Sequence, residues 1–236
     1  MKLSRLKKSY QRGFTLVELM VAIVVMALLA LLSWRGLDGM TRVQSQTQTH
    51  TDSVLALQAG LAQWQTDLDA LTVQANVPGV TGLDYDAQVL RLTRRYAEKP
   101  ENTQNPLRND SIRVVAWSQR NADSGIKWLR WQSEPLKTRA ELQAAWLQAK
   151  QWANNATEAD KKGEVVVAGI DKWQVFYYRN DAWVNALSSA DEANQAGSNS
   201  PALPEGIRLV LTLSPGQALV GDITRDWVQP SVGGGK

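Results

Sequence analysis

From Phe14 to Trp34 the chain runs 21 residues with a single charge, Glu18. As a helix rising 1.5 Å per residue this stretch is about 30 Å long, roughly one hydrocarbon core, so a transmembrane helix is expected over 14–34. A polar stretch follows from Thr41 to Ser53. Val54, Leu57, Leu61, Trp64, Leu68 and Leu71 then recur at steps of three and four, the seam of a helix laid on an apolar surface. Carried backwards, the register meets His50, Thr47 and Val43, so the middle of the helix has a polar seam. An amphipathic extension is therefore expected over 35–76. Val77-Pro78-Gly79 should end it, because proline lacks an N–H and glycine permits a turn.

Beyond that point the period falls to two. Gln88–Thr93, Ser111–Gln119 and Ile126–Gln132 read as strands, parted by loops that contain Pro100, Pro106 and Gly125. The pattern predicts an antiparallel meander. Thr138–Ala153 returns to a helical period through Leu142, Ala145, Trp146, Ala149 and Trp152, with Glu141 in its first turn. A second strand group follows at Glu164–Val167, Trp173–Arg179, Ala182–Ala186, Ile207–Leu213 and Leu219–Trp227, with Asn180-Asp181 as a tight turn between two of them. Ser188–Pro204 reads as a polar loop and Gly233–Lys236 as a frayed tail. The expected fold class is α+β: a long N-terminal helix, membrane anchor plus amphipathic extension, packed on antiparallel sheets. The β-rich head is expected over 77–232, with a helical insertion near 138–160.

Composition changes this picture in two places. The formal charge of +3 suggests a polyanion partner, yet Lys2, Arg5, Lys7, Lys8 and Arg12 all precede Gly13. Taking those five from 26 Lys and Arg leaves 21 against 23 Asp and Glu, a side-chain charge of −2 beyond residue 13. A basic surface that would neutralise phosphates is lost with the leader, so no nucleic-acid partner is expected. Cysteine is absent, which removes disulfides and thiolate chemistry together.

In a secretory signal the cleavage site follows the apolar core; here the small residue, Gly13, precedes it. A cut after Gly13 would leave the apolar segment on the protein as an anchor. The basic leader before it and the long polar region after it place the N-terminus in the cytoplasm and the head outside, in the periplasm of a Gram-negative bacterium. Glu18 has two chemical readings. A carboxylate in hydrocarbon costs about 3 kcal/mol on insertion scales, and a new α-amino group on Phe14, one helical turn away, would offset it, within the chain or from a neighbour. Alternatively Glu18 snorkels to the headgroups.

Gly13-Phe14-Thr15-Leu16-Val17-Glu18, with a basic leader before it and an apolar helix after it, resembles the prepilin motif of type IV pilins and type II secretion pseudopilins. The resemblance implies cleavage between Gly13 and Phe14 by a prepilin peptidase, N-methylation of Phe14, and Glu18 as the residue that guides assembly. Further segments resemble the J-type minor pseudopilins of type II secretion systems: Trp34–Met40, Trp64-Gln65-Thr66-Asp67-Leu68, Val89–Arg94, Trp173–Tyr178 with Trp183, and Leu203–Leu211. That family implies an inner-membrane subunit of the pseudopilus tip, with I-type and K-type minor pseudopilins and the major pseudopilin as partners and exported proteins as further contacts. Thr138–Asp160 is an insertion relative to the family pattern. A minor pilin of a type IV pilus or a competence system shares the leader, anchor and β head.

The remaining candidates for chemistry are sparse. His50, the lone histidine, reads as an exposed helix residue. Asp84-Tyr85-Asp86 holds two carboxylates but lacks the spacing and glycine of a calcium loop, and reads as a solvated turn. Asp67 and Asp69 fall on different helix faces and make a poor catalytic pair. Asn155-Ala156-Thr157 fits a short sequon common by chance. Phosphate-cradling loops, nucleophile elbows and metalloprotease helices are missing from the sequence, so neither an enzyme nor a cofactor is expected.

Overall fold

The computed structural model describes residues 13–74, 77–97, 110–188 and 203–230. The leader through Arg12, the loops at Pro100 and Pro106, most of the 188–204 loop and the glycine tail lie outside these residues.

The first element, α1, spans Leu16–Asp69, 54 residues. Two compact units divide within it, between Thr49 and His50. In the first unit every described residue is exposed, including the whole apolar run from Phe14 to Trp34.

Among its described residues the second unit holds eight strands: β1 (Leu83–Tyr85), β2 (Val89–Ala97), β3 (Asp110–Ala122), β4 (Gly125–Gln132), β5 (Glu164–Arg179), β6 (Ala182–Asn185), β7 (Gly206–Leu213) and β8 (Gly221–Val228). All pairings are antiparallel, in the order β1-β2-β3-β4-β5-β7-β8 with β6 beside β5. A long N-terminal helix followed by such a sheet is an α+β arrangement consistent with a pilin-like fold.

The seam read from the sequence faces this sheet. Leu57, Trp64 and Leu68 are buried, with Leu61 and Leu71 packed beside them. Trp64 meets Trp117 of β3 edge-on, ring centroids 5.4 Å apart, and Trp117 stacks on Trp128 of β4 at 4.5 Å. Alternation along β2, β3 and β4 sends Leu92, Val115, Trp117 and Trp128 toward α1 and Val89, Val114, Ala116, Leu129 and Trp131 to the opposite face. That second face is covered by α2 (Arg139–Asn155), whose Leu142, Ala145, Trp146, Ala149 and Trp152 are buried on it. Thr138 caps α2 and Glu141 completes a capping box. The first half of the sheet is thus sandwiched between two helices.

Four expectations need correction. α1 ends at Asp69, before Val77-Pro78-Gly79, because the next residues join the sheet: the N–H of Thr72 donates to the carbonyl of Thr93 at 2.9 Å and that of Arg95 to Ala70 at 2.9 Å. Thr72 and Val73 are β-branched, which favours this exchange. Glu164–Val167 and Trp173–Arg179 are two halves of one 16-residue strand. Its first half pairs with β4 and its second with β7 and β6, and a register shift between Ile170 and Lys172 hid the continuity by breaking the alternation. Asp84-Tyr85 lies in the short strand β1 rather than in a turn. β8 starts at Gly221, two residues after the predicted Leu219.

Candidate functional site

The sequence places its chemistry at the head of α1. Gly13, Phe14 and Thr15 precede the helix and are exposed, Phe14 at 82%. Thr15 is where the helix begins: its carbonyl accepts from the N–H of Glu18 at 3.1 Å and of Leu19 at 3.2 Å, while its Oγ1 accepts from the N–H of Glu18 at 3.3 Å. These are the bonds of an N-cap, which satisfies donors that the first turn leaves without partners. Glu18 is the third helical residue, in the first turn, where a negative charge is favoured by the helix dipole. The three residues expected to matter, Gly13, Phe14 and Glu18, therefore sit within one turn of a helix start, all of them exposed. The segment they open is long and apolar enough to cross a membrane.

Residues 8–34 match the prokaryotic N-terminal methylation motif. The motif indicates a type IV pilin-like or pseudopilin protein; it implies processing by a prepilin peptidase and assembly with other pilin-like subunits. The apolar helix is compatible with single-pass anchoring in the inner membrane. The curated proteins include no match to this chain.

In the head, the carboxylates singled out from the sequence are committed to structure. His50 is exposed on α1. Asp84 pairs with Arg91. Asp86 sits 3.0 Å from the ammonium of Lys150 on α2 and accepts from the N–H groups of Val89 at 3.1 Å and Gln88 at 3.3 Å. Partial burial works against its charge, but the lysine and the two N–H groups outweigh that and hold the carboxyl below its usual range. Among the described residues no group of three or more His, Cys, Asp or Glu could hold a metal ion. A groove of about 440 Å³ between α2 and the end of β4 is lined by Glu141, Gln148 and Lys162, among others. Glu141 is occupied by the capping box and Gln148 donates to Asp160.

Asp67 is the residue whose role sequence reasoning missed. It is fully buried and accepts from Arg130 through Nε at 2.8 Å and Nη2 at 2.9 Å, from Trp117 Nε1 at 3.0 Å, from Gln63 Nε2 at 2.8 Å, and from Arg94. Asp69 accepts from Trp227 Nε1 at 2.9 Å. Asp67 ties the end of α1 to β2, β3 and β4, and Asp69 ties it to β8. The available signal was that Asp67 lies three residues after Trp64, on the seam side of the helix.

Proposed function

We propose that this chain is a minor pseudopilin of a type II secretion system, a structural, non-catalytic subunit of the pseudopilus tip. Its supporting observation is the methylation motif over residues 8–34 set at the capped start of an apolar helix, whose later turns are packed on an antiparallel sheet. In this reading a prepilin peptidase cuts between Gly13 and Phe14, the Phe14 amine is methylated, and Glu18 guides the subunit into the assembly. The N-terminus lies in the cytoplasm and the head in the periplasm. The J-type resemblance of Trp34–Met40, Val89–Arg94 and Leu203–Leu211 supports a tip position beside I-type and K-type minor pseudopilins. Eight of the ten tryptophans are buried in the head, which leaves exposed Trp34 and half-buried Trp183 for packing against like subunits, and aromatic residues commonly anchor interfaces.

The test is co-purification of the head, from Thr41 onward, with candidate I-type and K-type minor pseudopilins. A stable complex at micromolar concentration is expected. Absence of any complex at that concentration would overturn the tip assignment and favour a minor pilin of a pilus or competence system.

A further inference from the structure

Resting on the cleavage assigned above, we infer that Thr15 is a positioning residue for processing: by capping α1 it holds the Gly13–Phe14 peptide bond outside the helix, where a peptidase can take it. The first helical hydrogen bonds are accepted by the Thr15 carbonyl, so the carbonyls of Gly13 and Phe14 stay out of the ladder. The Thr15 hydroxyl accepts from the N–H of Glu18 and fixes the boundary there. From Leu16 onward the run of Leu, Val, Met, Ala and Ile is long and apolar, and no Ser, Thr, Asp, Asn or Gly follows until Ser33. Only two residues near the cut are suited to cap a helix: Thr15 and Gly13.

Loss of the Thr15 hydroxyl therefore moves the boundary in one direction. With alanine at 15 the helix gains a good helix former and its next suitable cap is Gly13. The Gly13 carbonyl, half of the scissile bond, then becomes the acceptor of the first helical bond. A peptide bond curled into a helix with its carbonyl engaged does not fit a cleft that binds extended chain. Glu18, three residues beyond Thr15, supports the native boundary through the helix dipole and would be displaced to the second turn in the shifted helix.

This makes a kinetic prediction distinct from a side-chain contact with the enzyme. Only the fraction of substrate with the bond outside the helix is competent, so losing the cap raises the apparent KM and leaves kcat unchanged. The full-length chain in detergent micelles would be cut by a purified prepilin peptidase at several substrate concentrations. Thr15→Ala is expected to raise KM by up to about fivefold, the limit set by losing a typical cap. Thr15→Ser and Thr15→Asn, both good caps of different shape, should remain within about twofold of the unaltered chain. Amide exchange at residue 17, whose N–H would newly bond to Gly13, should slow in Thr15→Ala. An unchanged KM for Thr15→Ala overturns the proposal, and so does a Thr15→Asn variant as poor as Thr15→Ala, which would mean that the threonine itself is recognised. If the unaltered chain is not cut after Gly13, the processing assignment fails and the cap proposal falls with it; that outcome is separable because every variant then stays uncut.

Discussion

Asp67 and Glu18 are two carboxylates of the same helix in opposite circumstances. Asp67 is buried among Arg94, Arg130 and Trp117, and removing it leaves two largely buried guanidinium groups without their counter-charge. Breaking a buried pair from one side costs about 3–5 kcal/mol. Asp67→Ala should lower the stability of the head by an amount of that order, read from the urea midpoint. Glu18 is exposed at the head of the apolar segment, and its partner under the proposed assembly is the amine that cleavage creates on Phe14. Glu18→Ala should still be cut, since the Thr15 cap remains, but should enter the assembly poorly. Full secretion by that variant would show the charge to be dispensable. Asp86 adds a pH dependence. Its folded pKa lies below the ordinary 3.8, so its stabilisation is present above that value and is lost as pH falls through the lower folded value. The urea midpoint of Asp86→Asn should fall below that of the unaltered head at pH 6 and converge with it as pH falls through the lowered folded value; a gap that persisted in acid would place the effect outside the charge.

Among the elements, α2 departs most from the resemblance, which treats residues 138–160 as an insertion, yet it closes one face of the sheet. Two arginines from the strands fasten it. Arg91 of β2 donates to the Trp146 carbonyl at 3.0 Å and lies 4.7 Å from that indole's centre. Arg120 of β3 donates to the Trp152 carbonyl at 3.0 Å and pairs with Glu164 at 2.7 Å, while Trp152 Nε1 donates to the same carboxylate at 2.6 Å. Removing the α2 cap with Thr138→Ala should cost about 1 kcal/mol. Because Trp146, Trp152 and the cluster around them form one core with the sheet, that loss should appear as a shift of the whole transition rather than as separate melting of the helix. On α1, Gly60 lies so close to Val167 of β5 that a Cβ at position 60 would overlap the valine side chain. The helix can approach the sheet this nearly only without a side chain there.

For the molecule as a whole, the two units carry different physics. The unit before His50 exposes its apolar residues and is stable only where hydrocarbon or a partner covers them. The unit from His50 onward contains two cores, one between α1 and the sheet and one between α2 and the sheet. Residues 50–236 produced alone should therefore be soluble and unfold cooperatively, with tryptophan fluorescence and far-ultraviolet circular dichroism giving one coincident transition. Separate transitions by the two probes would refute the single cooperative head.

What the sequence determined rests on local rules. Apolar length with Glu18 as its single charge marks a segment able to cross a membrane, steps of three and four mark the seam from Val54 to Leu71, alternation marks the strands, and Thr138 with Glu141 marks the start of α2. Gly13 before the apolar run and Glu18 within it were legible for the same reason, since each is unusual against its immediate neighbours. The end of α1 was not legible, because Thr72 leaves the helix for a partner, Thr93, that lies far along the chain. The unity of β5 was hidden because its two halves answer to different neighbours on the sheet. Asp67 read only as one of two aspartates on different helix faces until Arg94, Trp117 and Arg130 came in from β2, β3 and β4. Burial and pairing are properties of residues brought together from distant positions, and only the tertiary structure supplies those neighbours.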